Sequence, residues 1–100
     1  MADSKSPIWF AIVNPNAGKG KGSDDWAKIE SILNRSDIPI ISRFTSKQGD
    51  ASILAIEAIS NGHRNIISVG GDGTLNEIIN GVMFQESCPS SDVTVAVIPV

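Results

Sequence analysis

Four short runs of apolar, β-branched and aromatic residues punctuate the chain, and between them apolar positions recur three and four residues apart. The first run, Ile8-Trp9-Phe10-Ala11-Ile12-Val13, lies between Pro7 and Asn14-Pro15-Asn16 and predicts a buried strand. After a glycine-rich stretch, Ser23 is placed to cap a helix that Asp24 and Asp25 suit at its positive end. Trp26, Ile29, Ile32 and Leu33 share one face of that helix, which runs to about Arg35. Pro39 to Thr45 predicts a second strand. A helix from about Asp50 to Ser60 follows, with Ala51, Leu54, Ala55, Ala58 and Ile59 inward and Asn61-Gly62 as its stop.

Asn65 to Val69 predicts a third strand, and Leu75, Ile78, Ile79 and Val82 then repeat at helical spacing. Thr74 and Glu77 have the spacing of a capping box, which puts that helix start at Thr74. Val93 to Ile98 forms a fourth apolar run. Strands alternating with helices imply right-handed βαβ units, hence an α/β fold with a parallel sheet, about four strands, and helices on both faces.

In such a sheet every strand-to-helix loop emerges at the carboxyl edge, where open α/β folds bind ligands. Those loops are Asn14 to Ser23, Thr45 to Asp50 and Gly70 to Thr74. His63 falls at the opposite edge and is expected to be a surface residue. Cys88 lies in a polar loop and is expected to be incidental.

Composition narrows the classes. A chain of 100 residues holds one ordinary domain. A single cysteine permits no internal disulfide, no signal-peptide pattern opens the chain, and no apolar run is long enough to span a membrane, so a cytoplasmic setting is expected. A net charge of −3 without a broad basic face argues against nucleic acid as a partner. The local pattern differs: Lys5 to Lys21 holds three lysines and no acid, and Lys19 and Lys21 alternate with Gly18, Gly20 and Gly22. Cation and pliable backbone together suit phosphate, although a solvated glycine loop would look the same.

Gly70-Gly71-Asp72-Gly73-Thr74 is the most specific constellation. Its glycines are expected to turn the chain sharply with positive φ and bring N–H groups, and a helix start, close to an anion. A free aspartate is too acidic to be a strong base at pH 7, but in phosphoryl transfer a carboxylate can orient a hydroxyl or hold metal-bound water. The first loop meets neither familiar nucleotide fingerprint. Lys19 and Lys21 are each followed by glycine where a P-loop needs Ser or Thr, and the glycine spacing breaks at Ser23 and Asp25 where a dinucleotide motif needs its last glycine.

Asn14-Pro15-Asn16-Ala17-Gly18-Lys19-Gly20, then Thr45 with Gly49-Asp50-Ala51, then Gly70 to Glu77 with Asn80-Gly81, resemble the diacylglycerol kinase catalytic domain family from Ile8 to Pro99. That family includes bacterial lipid kinases, sphingosine kinases and ceramide kinases. The resemblance implies ATP-dependent transfer of the γ-phosphoryl group to a lipid hydroxyl such as that of diacylglycerol, with Mg²⁺. It places this in a cleft between a Rossmann-like nucleotide-binding domain, akin to that of NAD kinases and phosphofructokinases, and a β-rich second domain.

Carried over by position, Asn14, Pro15, Asn16, Gly18, Lys19 and Gly20 line the nucleotide-phosphate pocket, and Thr45 contacts the nucleotide from the second strand. Gly70, Gly71, Gly73 and Thr74 cradle phosphate from the third. Asp72 matches the aspartate beside the transferred group, although in some bacterial members a catalytic acid lies in the second domain. Glu77 is expected to cap its own helix, and no residue is assigned as a metal ligand. The resemblance further implies a G-T-x-N-D loop after Val100, so residues 1–100 read as the N-terminal nucleotide-binding part of a longer enzyme, inactive alone. The longer protein is expected to be peripheral to the membrane, with homo-oligomerisation left open. Two alternatives stay open beside this: an NAD kinase-like enzyme, and a nucleotide-binding module without catalysis.

Overall fold

The computed structural model describes residues 7–99, the side chains of residues 19 and 21–23 excepted. The elements run β1 (Trp9–Val13), α1 (Ala17–Arg35), β2 (Ile40–Phe44), α2 (Asp50–Ser60), β3 (Asn65–Gly70), α3 (Asp72–Phe84) and β4 (Thr94–Pro99). A short 3-10 turn at Ser90–Asp92 precedes β4. The four strands form one parallel sheet in the order β2-β1-β3-β4. This is the α/β architecture that the alternation of patterns predicts.

Why the strand runs are continuous in apolar character is visible from their two faces. Phe10, Ile12 and Ile66 pack against Ala51, Ala55, Ala58 and Ile59 of α2 and Ile78 and Val82 of α3. Ala11, Val13, Ile67 and Val69 face the other way, onto Trp26 of α1. A strand buried on both sides has no solvent face to carry polar residues. Trp26, 1% exposed, anchors α1 across the sheet.

Two helix starts differ from the sequence reading. The first helix begins at Ala17, not after Ser23, because Ala17 N–H already bonds Asn14 C=O and Gly20 N–H bonds Asn16 C=O. Its opening is nevertheless irregular: Gly18 and Gly20 hold φ of +63° and +91°, in the left-handed region that favours glycine. The expected cap at Ser23 concerns a side chain outside the described residues. The third helix begins at Asp72, with Gly71 as its cap residue, rather than at Thr74.

One smaller expectation also changes. His63 is half-buried, its ring 5.1 Å from that of Phe10. Cys88 belongs to a loop closed by the buried Gln85, whose amide donates to Cys88 C=O (2.7 Å) and accepts from Ser87 N–H and Cys88 N–H. Beside α1, an apolar groove of about 260 Å³ is lined by Trp9, Leu33, Ile38, Ile67, Ala96 and Ile98.

Candidate functional site

The strand order creates the site. The chain leaves β1 toward β2 on one side and β3 toward β4 on the other, so the loops after β1 and β3 diverge and open a crevice at their carboxyl ends. Two main-chain bonds extend the ladders past the strand ends, Asn14 N–H to Val69 C=O and Thr45 N–H to Val13 C=O, both 2.9 Å. Asn14 is thereby set between Thr45 and the loop after β3.

Asn14 then ties the crevice together. Its side-chain oxygen accepts from Asn16 N–H at 3.0 Å, which shapes its own loop, and its amide nitrogen donates to Thr74 Oγ1 at 3.4 Å across the switch point. Thr74 is 7% exposed and packs directly over Gly70. A Cβ on Gly70 would meet Thr74 Oγ1 at 2.6 Å, so glycine there makes room for Thr74. None of Gly70, Gly71 and Gly73 has positive φ, which corrects the expectation of a left-handed turn. At Gly71 and Gly73 a Cβ would meet nothing within 4 Å, so no neighbour among the described residues accounts for their bareness.

Three helix N-termini reach this edge, and those of α2 and α3 differ. That of α2 is occupied. The Asp50 carboxylate accepts from Ser46 N–H (2.8 Å), Ser46 Oγ–H (2.7 Å) and Lys47 N–H (3.1 Å). These bonds, the Ser46 hydroxyl first, hold its pKa below the ordinary 3.8. The Glu77 carboxylate reaches over from α3 and accepts from Gly49 N–H (3.1 Å) and Ala51 N–H (3.2 Å). Glu77 thus caps a neighbouring helix and not its own, contrary to its capping-box spacing.

The N-terminus of α3 is open. Its first backbone bond runs from Leu75 N–H to Gly71 C=O (3.2 Å), and no side chain caps it among the described residues. The N–H groups of Asp72, Gly73 and Thr74 therefore stand without protein acceptors there, at the positive end of the helix dipole. Such a start binds anions, phosphate among them.

An open cleft of about 350 Å³ occupies the crevice. Asn14, Asn16, Thr45, Gly73 and Thr74 line it, together with Ser46, Lys47, Gln48, Ala51 and Glu77. The first five are among the residues singled out from sequence. The second five are not assigned there as binding residues, although Ala51 and Glu77 belong to the motifs that carry the resemblance and a lysine in a carboxyl-edge loop is a legible signal for Lys47. Pro15, Gly18, Gly20, Gly70 and Gly71 lie outside the cleft lining, Gly70 because it is buried beneath Thr74. The Lys19 side chain lies outside the described residues. Asp72 is exposed and lines an adjoining, mostly apolar opening of about 570 Å³ with Gly73, Leu75, Asn76 and Ile79. Gly73 is common to both openings. Among the described residues no cluster of three or more His, Cys, Asp or Glu is placed to hold a metal.

A doubly wound parallel sheet with an uncapped helix start beside its switch point defines an open α/β domain with a candidate ligand crevice at its carboxyl edge. The model of the family described as diacylglycerol kinase catalytic domain matches residues 8–100, and the chain belongs to that family. The diacylglycerol kinase of Staphylococcus haemolyticus is 35% identical over 78 residues, which cover 78% of this chain and 24% of that protein. That of Staphylococcus saprophyticus is 33% identical over 79 residues, 79% of this chain and 26% of its own length. A crystal structure of a diacylglycerol kinase from Bacillus anthracis superposes with a TM-score of 0.73 at 32% identity, covering 96% of this chain and 33% of that one. The chain spans about a quarter of the length of these curated relatives.

Proposed function

We propose that residues 1–100 are the nucleotide-binding part of an ATP-dependent lipid kinase whose complete form carries a second, β-rich domain, works at the membrane surface from the cytoplasm and phosphorylates a lipid hydroxyl such as that of diacylglycerol. The observation that carries this reading is the uncapped start of α3, with its N–H groups of Asp72, Gly73 and Thr74, beside the Asn14–Thr74 hydrogen bond. Family membership supplies the kinase class.

On this reading the phosphate chain of ATP lies against Gly71 to Thr74, with Asn14 fixing the Thr74 hydroxyl and Lys47 adding positive charge on the far wall. Asp72, at the first residue of α3 and on the rim of the second opening, meets the acceptor hydroxyl. That hydroxyl oxygen forms a bond to the γ-phosphorus as the bond to the bridging oxygen breaks. ADP leaves, and the hydroxyl proton passes to a carboxylate or to water. Asp72 orients the hydroxyl, a role that an ordinary carboxylate performs. One exposed carboxylate beside a phosphate site also fits Mg²⁺, which is commonly held by one or two carboxylates plus substrate phosphates and neutralises phosphate charge there.

The test is transfer of label from γ-labelled ATP by the complete protein, with diacylglycerol micelles and NAD offered separately. Label in the lipid and none in the dinucleotide is expected, with no transfer by the 100-residue chain alone. Asp72→Asn in the complete protein should lower turnover more than tenfold, about 1.4 kcal/mol of transition-state stabilisation. Label in the dinucleotide would favour an NAD kinase-like enzyme. ATP binding with no transfer to either, indifferent to Asp72→Asn, would leave a non-catalytic nucleotide module.

A further inference from the structure

We infer that Glu77 is a positioning residue for this site: from the cleft lining its carboxylate, engaged by two N–H groups, fixes the loop after β2 as the wall of the nucleotide cleft. The inference rests on the nucleotide reading of the cleft and adds to it a residue that acts through a neighbour. Its two oxygens bind N–H groups 28 and 26 residues away in sequence, at Gly49 and Ala51, and so join the start of α2 to the flank of α3.

The loop it holds has one other hydrogen-bonded tie to the sheet, and at its far end Ala51 is packed in the core. Thr45 N–H anchors the loop to β1 through Val13 C=O. From Ser46 to Asp50 the loop is knotted to itself, because all three partners of the Asp50 carboxylate are groups of Ser46 and Lys47. Core packing already seats the Ala51 side chain, so what Glu77 adds is the hydrogen-bonded tie of Gly49 and of the first turn of α2 to α3. Gly49 itself, with φ +93°, provides no side-chain cap for α2. Glu77 supplies both the missing cap and the second anchor, and Thr45, Ser46, Lys47 and Gln48 on the loop line the cleft.

Electrostatics gives the contact a second consequence. A carboxylate beside a phosphate site repels its ligand unless its charge is answered elsewhere, and here two N–H groups and the positive end of α2 answer it. Glu77 and Asp50 together also close the α2 start to anions, whereas the α3 start has no side-chain cap among the described residues.

The experiment measures MgATP affinity for this chain by calorimetry, with amide hydrogen exchange on the same samples, for wild type, Glu77→Ala, Glu77→Gln and the exposed outer-face control Glu57→Ala. Glu77→Ala is expected to weaken binding about tenfold. It should speed exchange at Gly49 and Ala51 while the central strands β1 and β3 keep their protection. Glu77→Gln, with one oxygen left to accept, should fall between, about threefold weaker. Glu57→Ala should bind as wild type does. In the complete enzyme the loss should appear in KM for ATP, with kcat within about twofold. Unchanged affinity in Glu77→Ala, or exchange accelerated throughout β1 and β3, would overturn the inference. A wild-type chain that binds no MgATP would instead overturn the nucleotide reading, and the inference with it, before any variant is compared.

Discussion

Asp50 and Glu77 meet at the same helix start yet perform separate tasks, one folding a loop on itself and the other fastening it to a neighbour. The titration of Asp50 has a defined direction. Its folded-state pKa lies below the ordinary 3.8, so the unfolded chain binds more protons in the window between the two values. The loop's stabilisation is therefore present above that ordinary value and lost as pH falls through the lowered one. The amide proton shifts of Ser46 and Lys47 should titrate with a midpoint below pH 3.8 and stop titrating in Asp50→Asn; a midpoint at or above 3.8 would contradict the knot. Residue-scale reading from sequence named Asn14, Asn16, Thr45, Gly73 and Thr74, which the cleft gathers. It failed for Glu77, because the T-x-x-E spacing reports only donors three residues away and the true donors lie on another helix. The three glycines of the third loop were legible as unusual, but their reason was not: Gly70 clears space for Thr74, a packing fact invisible in spacing.

The helices show what periodicity can and cannot deliver. The inward faces of α2 and α3 follow the predicted residues, Ala51, Ala55, Ala58, Ile59, Ile78 and Val82. Their closeness is set by Gly81, whose missing Cβ would stand 2.7 Å from Ser52 C=O and 3.1 Å from the Ala55 methyl. Gly81→Ala should therefore destabilise the domain by about 1–3 kcal/mol through overpacking, measured by urea unfolding, whatever it gains in helix propensity. A neutral or stabilising effect would mean that the two helices can separate without cost. Glu77 reaches the α2 start from the same helix, so this close packing is also what brings the two loops within hydrogen-bonding distance. Helix boundaries were the least legible feature. The first helix closes backbone bonds six residues before the predicted cap, through glycines whose left-handed φ no apolar pattern records.

At the scale of the molecule, strand order decides where chemistry can occur, and strand order was not legible from the patterns. The alternation of strand and helix fixed a parallel sheet with its loops at one edge. The order β2-β1-β3-β4 then singles out the gap between β1 and β3, and with it Asn14 opposite Thr74. Three helix starts share that edge, and of those flanking the loop after β2 the one at α2 is closed by carboxylates and the one at α3 is open. The central claim is that the open one, at α3, receives the phosphates of ATP. The most direct test is an amide chemical-shift map of this chain titrated with MgATP. The account predicts shifts concentrated at Asn14, Thr45 and Gly71 to Thr74, with the opposite edge at Asn61 to Asn65 unmoved. Shifts at that opposite edge, or none anywhere at millimolar MgATP, would contradict it.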